Sequence, residues 1–505
     1  MLTSTCKYVL KQQIKLFLGV FVFGILFSCA KTPQQIIEKP TEFHKHRNSI
    51  VRVENKIGFF SKGIGSGFFV QRNKVATNIH VIAHSGPVYI KSADKKTTWK
   101  VEGVAAYDVK NDLAILKVIG EGEALPLGNS DVVRSNEPIS IIGFPDEKYK
   151  VTEATLHSIR NSDKWLRIKV RAVSGSSGGP VLNSKGQVIG IQASGDDSFS
   201  DAIPSYMLKG LLTQSESTES LEHWHKREPI RSYVHYLKGV MNYDKKRYDK
   251  AIADFDKAIQ LNPESTNAYF RRGNAKYALR DHESAINDYD KAIKLNPQYA
   301  TAYYNRGLAK RQLGDHKGAI NDYDKAIKLN PQYVIAYINR GVVKSKLGNY
   351  KDAISDYNKA IKQNPQYAIA YINRGYAKSK LSDYEGAISD YNKVIKLNPQ
   401  YSIAYNNRGH VKFKLGNHKG AINDYDKAIK LNPKEATAYH NRGIAKGHLG
   451  DHKSAISDYD KTIKLNPLDA KAYHDRARAK EALGQHDAAK ADFEKAKELD
   501  PDFAK

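Results

Sequence analysis

Cysteine is almost absent from this chain of 505 residues: there are two, Cys6 and Cys29, and none beyond position 29. The body of the protein can therefore form no disulfide and bind no metal through thiolate. Zinc fingers, iron–sulfur sites and cysteine proteases are excluded with it. Long apolar runs are also lacking. The longest wholly apolar stretch, Leu16 to Phe27, has 12 residues, whereas a membrane-spanning helix needs about 20. Multi-span membrane architectures are excluded, and so is a collagen-like chain. Acidic residues are in short supply, with 54 Asp+Glu against 80 Lys+Arg and a net charge of +26. Such an excess could attract nucleic acid or anionic lipid, so its distribution has to be read before a partner is assigned. A hydrophobic fraction of 41% and an aromatic fraction of 10% describe a folded chain, and the length calls for two or more domains.

The short apolar run has a context. Lys7, Lys11 and Lys15 precede it and small residues follow, the layout of a secretory signal. Leu26-Phe27-Ser28-Cys29 resembles a bacterial lipobox, in which the cysteine becomes the lipidated first residue of the mature protein. Phe27 is larger than the residue usual there, and ordinary cleavage or an uncleaved anchor are the alternatives. On this reading residues 1–29 are a signal peptide with Cys29 as the lipidation site, and 30–48, rich in Lys, Pro, Gln and Thr, are a tether. The chain is expected in the bacterial cell envelope, as a membrane-anchored lipoprotein of the periplasm. Nucleic acid is then not an expected partner.

From 49 to 212 the pattern changes to short β-type runs separated by turns. Gly65–Val70, Pro87–Lys91, Leu113–Val118, Ser140–Ile142 and Val188–Ile191 are largely apolar, β-branched or aromatic. Many short strands without helical periodicity predict a β-barrel or sandwich. Three local sequences within this region carry chemistry. Thr77-Asn-Ile-His80-Val offers an imidazole beside a strand, Asn111-Asp112-Leu-Ala-Ile-Leu places a carboxylate at a strand mouth, and Gly175-Ser-Ser177-Gly-Gly-Pro sets a hydroxyl in a glycine-rich turn. Acyl transfer by a nucleophile needs this set: a hydroxyl that attacks, an imidazole that takes its proton and a carboxylate that orients the imidazole. The glycines let the backbone turn tightly enough for two amides to face a developing oxyanion.

Taken one at a time, a histidine, a turn aspartate or a serine among glycines is an ordinary structural residue. Their order is not ordinary. His80, Asp112, Ser177 is the chain order of chymotrypsin-type enzymes, and the region resembles trypsin-like serine proteases of the HtrA type through GSGFFV, TNIHV, DLAILKV, GSSGGPV and Ala202-Ile-Pro204. The resemblance implies a chymotrypsin-like double β-barrel. It makes His80 the general base, Asp112 its orienting partner and Ser177 the nucleophile, with the amides of Gly175 and Ser177 as the oxyanion hole. Neither cofactor nor metal is implied. Ser176 stands where the family usually has Asn, and Val173-Ser174 where Asn-Pro is frequent, so substrate preference is not carried over. Arg171, six residues before Ser177, falls where trypsin-like enzymes keep a pocket-floor charge. If buried, it would select an acidic side chain. The PDZ domain common in HtrA enzymes is not recognisable, and a homo-oligomer is implied only because such enzymes trimerise.

Residues 213–231 are polar and read as a linker. Beyond them prolines recur at 263, 297, 331, 365, 399, 433, 467 and 501, every 34 residues. That period, with two helical patterns per unit, predicts a stacked helix-pair solenoid over 232–505. In one unit, helix A is expected over Ala302–Lys310 and helix B over Lys317–Ile327, ended by Asn330-Pro331. Gly307 and Ala319 would allow close contact, filled by Tyr323. The unit closely resembles the tetratricopeptide repeat, which implies a superhelix with a concave, partner-binding groove.

The solenoid holds 49 Lys+Arg against 32 Asp+Glu, +17 of the total excess. Much of it recurs as Arg at repeat position 7 and Lys at 11, with Asp at 23 and usually at 25, which predicts ion pairing inside the array. Asn305, Asn339, Asn373, Asn407 and Asn441 recur at position 6. They are either a ladder of amides for an extended peptide backbone or simply the repeat consensus. The leading expectation is a secreted, lipid-anchored serine endopeptidase whose repeats recruit a protein substrate or partner. The alternative is a non-catalytic scaffold with a vestigial protease fold.

Overall fold

The computed structural model describes residues 42–504 apart from 58–60, 84–85, 161–163, 172–174, 196–197 and 216. Cys29, and with it the whole signal and most of the tether, lies outside the described residues. Among those described, no helix is long and apolar enough to cross a membrane.

Twelve strands form two closed six-stranded barrels. The first contains β1 (Ile50–Ile57), β2 (Ser61–Gln71), β3 (Lys74–Asn78), β4 (Val88–Ser92), β5 (Thr98–Asp108) and β6 (Leu113–Ile119). The second contains β7 (Pro138–Gly143), β8 (Lys150–Ile159), β9 (Leu166–Ile168), β10 (Pro180–Asn183), β11 (Val188–Gly195) and β12 (Ser200–Pro204). Every pairing between these strands is antiparallel. The strands are apolar on both faces because each face has a core to fill. Val51, Val53 and Phe69 point into the first barrel, and Ile141, Leu156 and Val181 into the second. Their immediate neighbours Ile50, Phe68, Ile142 and Leu182 join a third cluster shared by both barrels. The two-residue period of a strand thus sends Phe68 and Phe69 to different cores. The double barrel expected from the resemblance is what the chain builds.

Sixteen helices follow, from Glu228–Asp244 to His486–Leu499, in eight antiparallel pairs. In the unit read above, helix A spans Ala300–Gln312 and helix B His316–Leu329, each a little longer than the periodicity predicted. A Cβ on Gly307 would come within 2.7 Å of the Tyr323 ring, so the glycine is what lets the two helices close over that tyrosine. Tyr323 is fully buried.

The ionic pattern is one network repeated. Arg306 Nε and Nη2 bind the two oxygens of Asp322 at 2.9 and 2.5 Å, and Arg306 Nη1 reaches back to Asp290 of the preceding repeat at 2.5 Å. Lys310 adds a third cation at 2.9 Å from Asp322. The same arrangement recurs at Arg272, Arg340, Arg442 and Arg476. At Arg374 and Arg408 the backward partner is Asn358 or Asn392. Each arginine also lies over the tyrosine three residues earlier, at 5.4–5.5 Å from the ring centroid.

The expected linker is corrected by the structure. Residues 213–231 are polar in composition, yet they are laid against the first barrel rather than strung between domains. Lys74 Nζ holds Ser215 through its carbonyl and hydroxyl at 2.9 and 2.7 Å. Glu219 pairs with Val104 of β5 in both directions, at 2.7 and 2.9 Å. A short helix Leu221–Lys226 then buries Trp224 completely in the core of the first barrel, together with Ile230. Two apolar anchors among polar neighbours are enough to dock a segment, which is why composition misled here.

Candidate active site

His80 sits on a single helical turn, Ile79–Ile82, at the end of β3. Ile79, Val81 and Ile82 are buried, so the turn is held by its apolar side chains, and the His80 side chain keeps 28% of its surface exposed. Asp112 belongs to the turn between β5 and β6, where its φ is +56°. The left-handed conformation is one that Asp and Asn adopt more easily than other side-chain-bearing residues. Asp108 ties the turn by accepting from the Asn111 backbone N–H and side-chain amide at 3.1 and 2.6 Å. The Asp112 carbonyl in turn accepts from Ile79 N and Asn78 Nδ2 at 3.1 and 2.9 Å. The two turns are therefore fastened to each other by backbone before any side chain is considered.

Between the side chains, His80 Nδ1 lies 2.5 Å from Asp112 Oδ2, and the His80 backbone N–H donates to Asp112 Oδ1 at 3.0 Å. Burial of the ring opposes its protonation. The Asp112 charge and hydrogen bond outweigh that and raise the imidazole above its ordinary 6.5. Titration of the His80 ring in the native protein, followed by NMR, is expected to have its midpoint above 6.5, with the neutral base accumulating only on the alkaline side. A midpoint below 6.5 would mean that the pair is not formed in solution.

Ser177 lies in the turn 175–179 between the barrels. Ser66 of β2 secures this turn with two hydrogen bonds and ties it to Phe144 with a third. Its N–H donates to Ser177 O at 2.7 Å, its hydroxyl donates to Gly175 O at 2.7 Å, and the same hydroxyl accepts from Phe144 N at 3.0 Å. Gly178 has φ +86°, and a Cβ there would lie 2.1 Å from Ser66 O; only glycine fits. Among the described residues, the N–H groups of Gly175 and Ser177 make no hydrogen bond. The Ser177 hydroxyl donates to Ala193 O at 3.2 Å. Ser66 was present in the GSGFFV motif, but nothing in the sequence marked it as the brace of the Ser177 turn.

The remaining sequence candidates divide. Arg171 is exposed, so the pocket-floor role that its position suggested lacks the burial it requires. Ser174 lies outside the described residues. Three of the five asparagines are engaged inside the array. Asn305 donates to Asn274 and Asn441 to Asn406, at 2.8 and 3.2 Å. Asn339 donates to Tyr304 Oη and Ile335 O at 3.0 and 2.9 Å and accepts from Arg311 at 2.8 Å. Asn373 and Asn407 make no side-chain hydrogen bond among the described residues. The ladder is thus broken into spent and available rungs.

Residues 65–191 match the trypsin-like peptidase domain. Tetratricopeptide-repeat models match 232–265, 270–334, 334–367, 356–389, 436–467 and 470–503, and a TPR-repeat model matches 380–416 and 409–450. A probable periplasmic serine endoprotease DegP-like of Hahella chejuensis is 31% identical over 180 residues, 32% of this chain and 37% of that protein. A protein of the same description from Chlamydia trachomatis is 32% identical over 169 residues, 30% of this chain and 33% of its own length. The chain thus spans about a third of the length of each of these two relatives. Among solved structures, the active form of the Rv3671c protease of M. tuberculosis aligns with 39% of this chain and 96% of its own, at 20% identity and a TM-score of 0.33. The barrels and the turn they carry define the class, a trypsin-like peptidase domain. The particular protein is a fusion, in which that domain is joined to a run of tetratricopeptide repeats.

Proposed function

We propose that this chain is a serine endopeptidase of the bacterial envelope, acting through His80, Asp112 and Ser177. The observation that carries the reading is the His80 Nδ1–Asp112 Oδ2 contact at 2.5 Å, in a chain whose Ser177 turn is tight enough to require glycine at 178. Ser177 Oγ would attack the carbonyl carbon of a peptide bond while its proton passes to His80 Nε2. The amides of Gly175 and Ser177 would receive the oxyanion. His80 then returns the proton to the leaving amine, and a water hydrolyses the acyl-enzyme by the same path. The repeats would recruit protein substrate or a protein partner, raising the concentration of scissile bonds near Ser177. Secretion and a lipid on Cys29 would place the enzyme at a membrane surface.

One observation favours the alternative of a non-catalytic scaffold: the Ser177 hydroxyl donates to Ala193 O, so its proton is directed at a backbone carbonyl and not at His80. A fluorophosphonate probe separates the two readings. Wild-type protein is expected to be labelled and Ser177→Ala to be silent. Equal silence of both across pH 6–9 would leave the scaffold.

A further inference from the structure

The Asp112 carboxylate has a donor that does not belong to the peptidase fold. Tyr233, on the first helix of the repeat array (Glu228–Asp244), donates its hydroxyl to Asp112 Oδ1 at 2.9 Å. The contact is built from several sides. Trp224 packs edge-on against Tyr107 of β5, with centroids 5.9 Å apart. His225 Nε2 meets the carbonyl of Ile82 at 2.9 Å, at the end of the turn that carries His80. Ile230 is fully buried in the first barrel's core, and Tyr233 packs against the same cluster. Behind it, Tyr233 stacks on Tyr236 with centroids 6.1 Å apart and planes 22° from parallel, and Tyr236 abuts Phe255 of the repeat's second helix at 6.1 Å. A line of contacts therefore runs from the core of repeat one to the His80–Asp112 pair.

We infer that Tyr233 is a positioning residue for the triad, so that the repeat array supplies part of the active site that the two barrels leave incomplete. The inference rests on the endopeptidase reading above. Its physical content is specific. Asp112 Oδ1 takes the His80 N–H and the Tyr233 O–H, which leaves Oδ2 to face His80 Nδ1. Two donors on one oxygen fix the rotation of the carboxylate, and the phenol draws off part of its charge. Burial, then the neighbouring Asp112 charge and hydrogen bond, hold the Tyr233 phenol well above its ordinary 10, so it donates at every pH at which the enzyme would work. The titratable groups facing Tyr233 are Asp112 from the β5–β6 turn, itself paired with His80, and Tyr236 from the same helix; His225 meets Ile82 O.

Sequence reasoning missed Tyr233 because it sits in a repeat, where tyrosines are common. A signal was nevertheless present. Repeat one departs from the pattern, with Lys238 in place of the arginine and Asn242 in place of the lysine, as expected of a unit that has no repeat before it and packs on something else.

The test is Tyr233→Phe in the full chain, which removes one hydroxyl and keeps the ring, beside Tyr236→Phe as a control on the same stack. The first readout is the His80 titration by NMR, assigned by loss of the signal in His80→Gln. Without the phenol the carboxylate keeps more charge for the imidazolium, so the midpoint is expected to rise by about 0.5 unit in Tyr233→Phe and to stay in place in Tyr236→Phe. The second readout is fluorophosphonate labelling, expected to fall about threefold on the acidic limb in Tyr233→Phe alone, following that shift. An unmoved midpoint with wild-type labelling overturns the inference, as does an equal shift in both variants. Should wild type fail to label at all, the endopeptidase reading falls, while the titration still decides whether Tyr233 acts on the His80–Asp112 pair.

Discussion

Asp112→Asn is expected to cut the acylation rate by about 10⁴-fold while the protein stays folded. The size follows from which oxygen faces what. Oδ1 accepts from the His80 backbone N–H and from the Tyr233 hydroxyl, at 3.0 and 2.9 Å. In the variant, the amide oxygen must occupy that position, because an NH₂ group there would confront two donors. The NH₂ is then driven to the Oδ2 position, where it donates to His80 Nδ1. The imidazole is forced to carry its proton on Nε2, the nitrogen that has to receive the Ser177 proton, and general-base catalysis is blocked. Folding should survive because asparagine tolerates the φ of +56° as well as aspartate does. Labelling or peptide hydrolysis rates, with a melting curve alongside, check this. A loss of less than tenfold would mean that Asp112 does not set the tautomer.

The second large effect is on stability. Asp322 is 3% exposed and holds both Arg306 and Lys310. Asp322→Ala leaves those two cations without their shared anion inside the array and is expected to cost about 3–5 kcal/mol. Asp324, 50% exposed, meets Nη1 of Arg340 and, among the described residues, no second cation. Asp324→Asn is therefore expected to change stability by about 1 kcal/mol or less. The chain already contains that substitution: Asn358 and Asn392 occupy the equivalent place and accept from Arg374 and Arg408 at 2.6 and 2.5 Å. Because a solenoid couples only neighbouring repeats, the Asp322 variant should also split denaturation into two steps, visible by circular dichroism. Equal losses from the two substitutions would refute the assignment of Asp322 as the centre of the network.

Much of this was legible before the structure. The 34-residue period, the tyrosine over Gly307 and the Arg–Asp pairing are local or repeat-to-repeat relations, and a sequence writes such relations plainly. The His80, Asp112 and Ser177 motifs were legible because each sits in a short turn of characteristic residues. What could not be read are contacts set by how one element lies on a distant one. Ser66 is far from Ser177 in sequence, and Tyr233 is farther still from Asp112. Residues 213–231 failed as a linker for the same reason: Trp224 and Ile230 are only two apolar residues, and their importance depends on the pocket that the first barrel offers them. The asparagine ladder failed in part because neighbouring repeats compete for the same amides.

The backward reach of each arginine has a consequence for the array's length. An additional unit of 34 residues placed between any two repeats would find a carboxylate or amide already waiting on the unit before it, and would offer one to the unit after it. Nothing elsewhere in the chain would need to change. The attachment to the barrel, by contrast, is written only once, in residues 215–233. The length of the array beyond that attachment can therefore change by whole repeats, by duplication or loss, while the contacts of Asp112 and Tyr233 stay as they are.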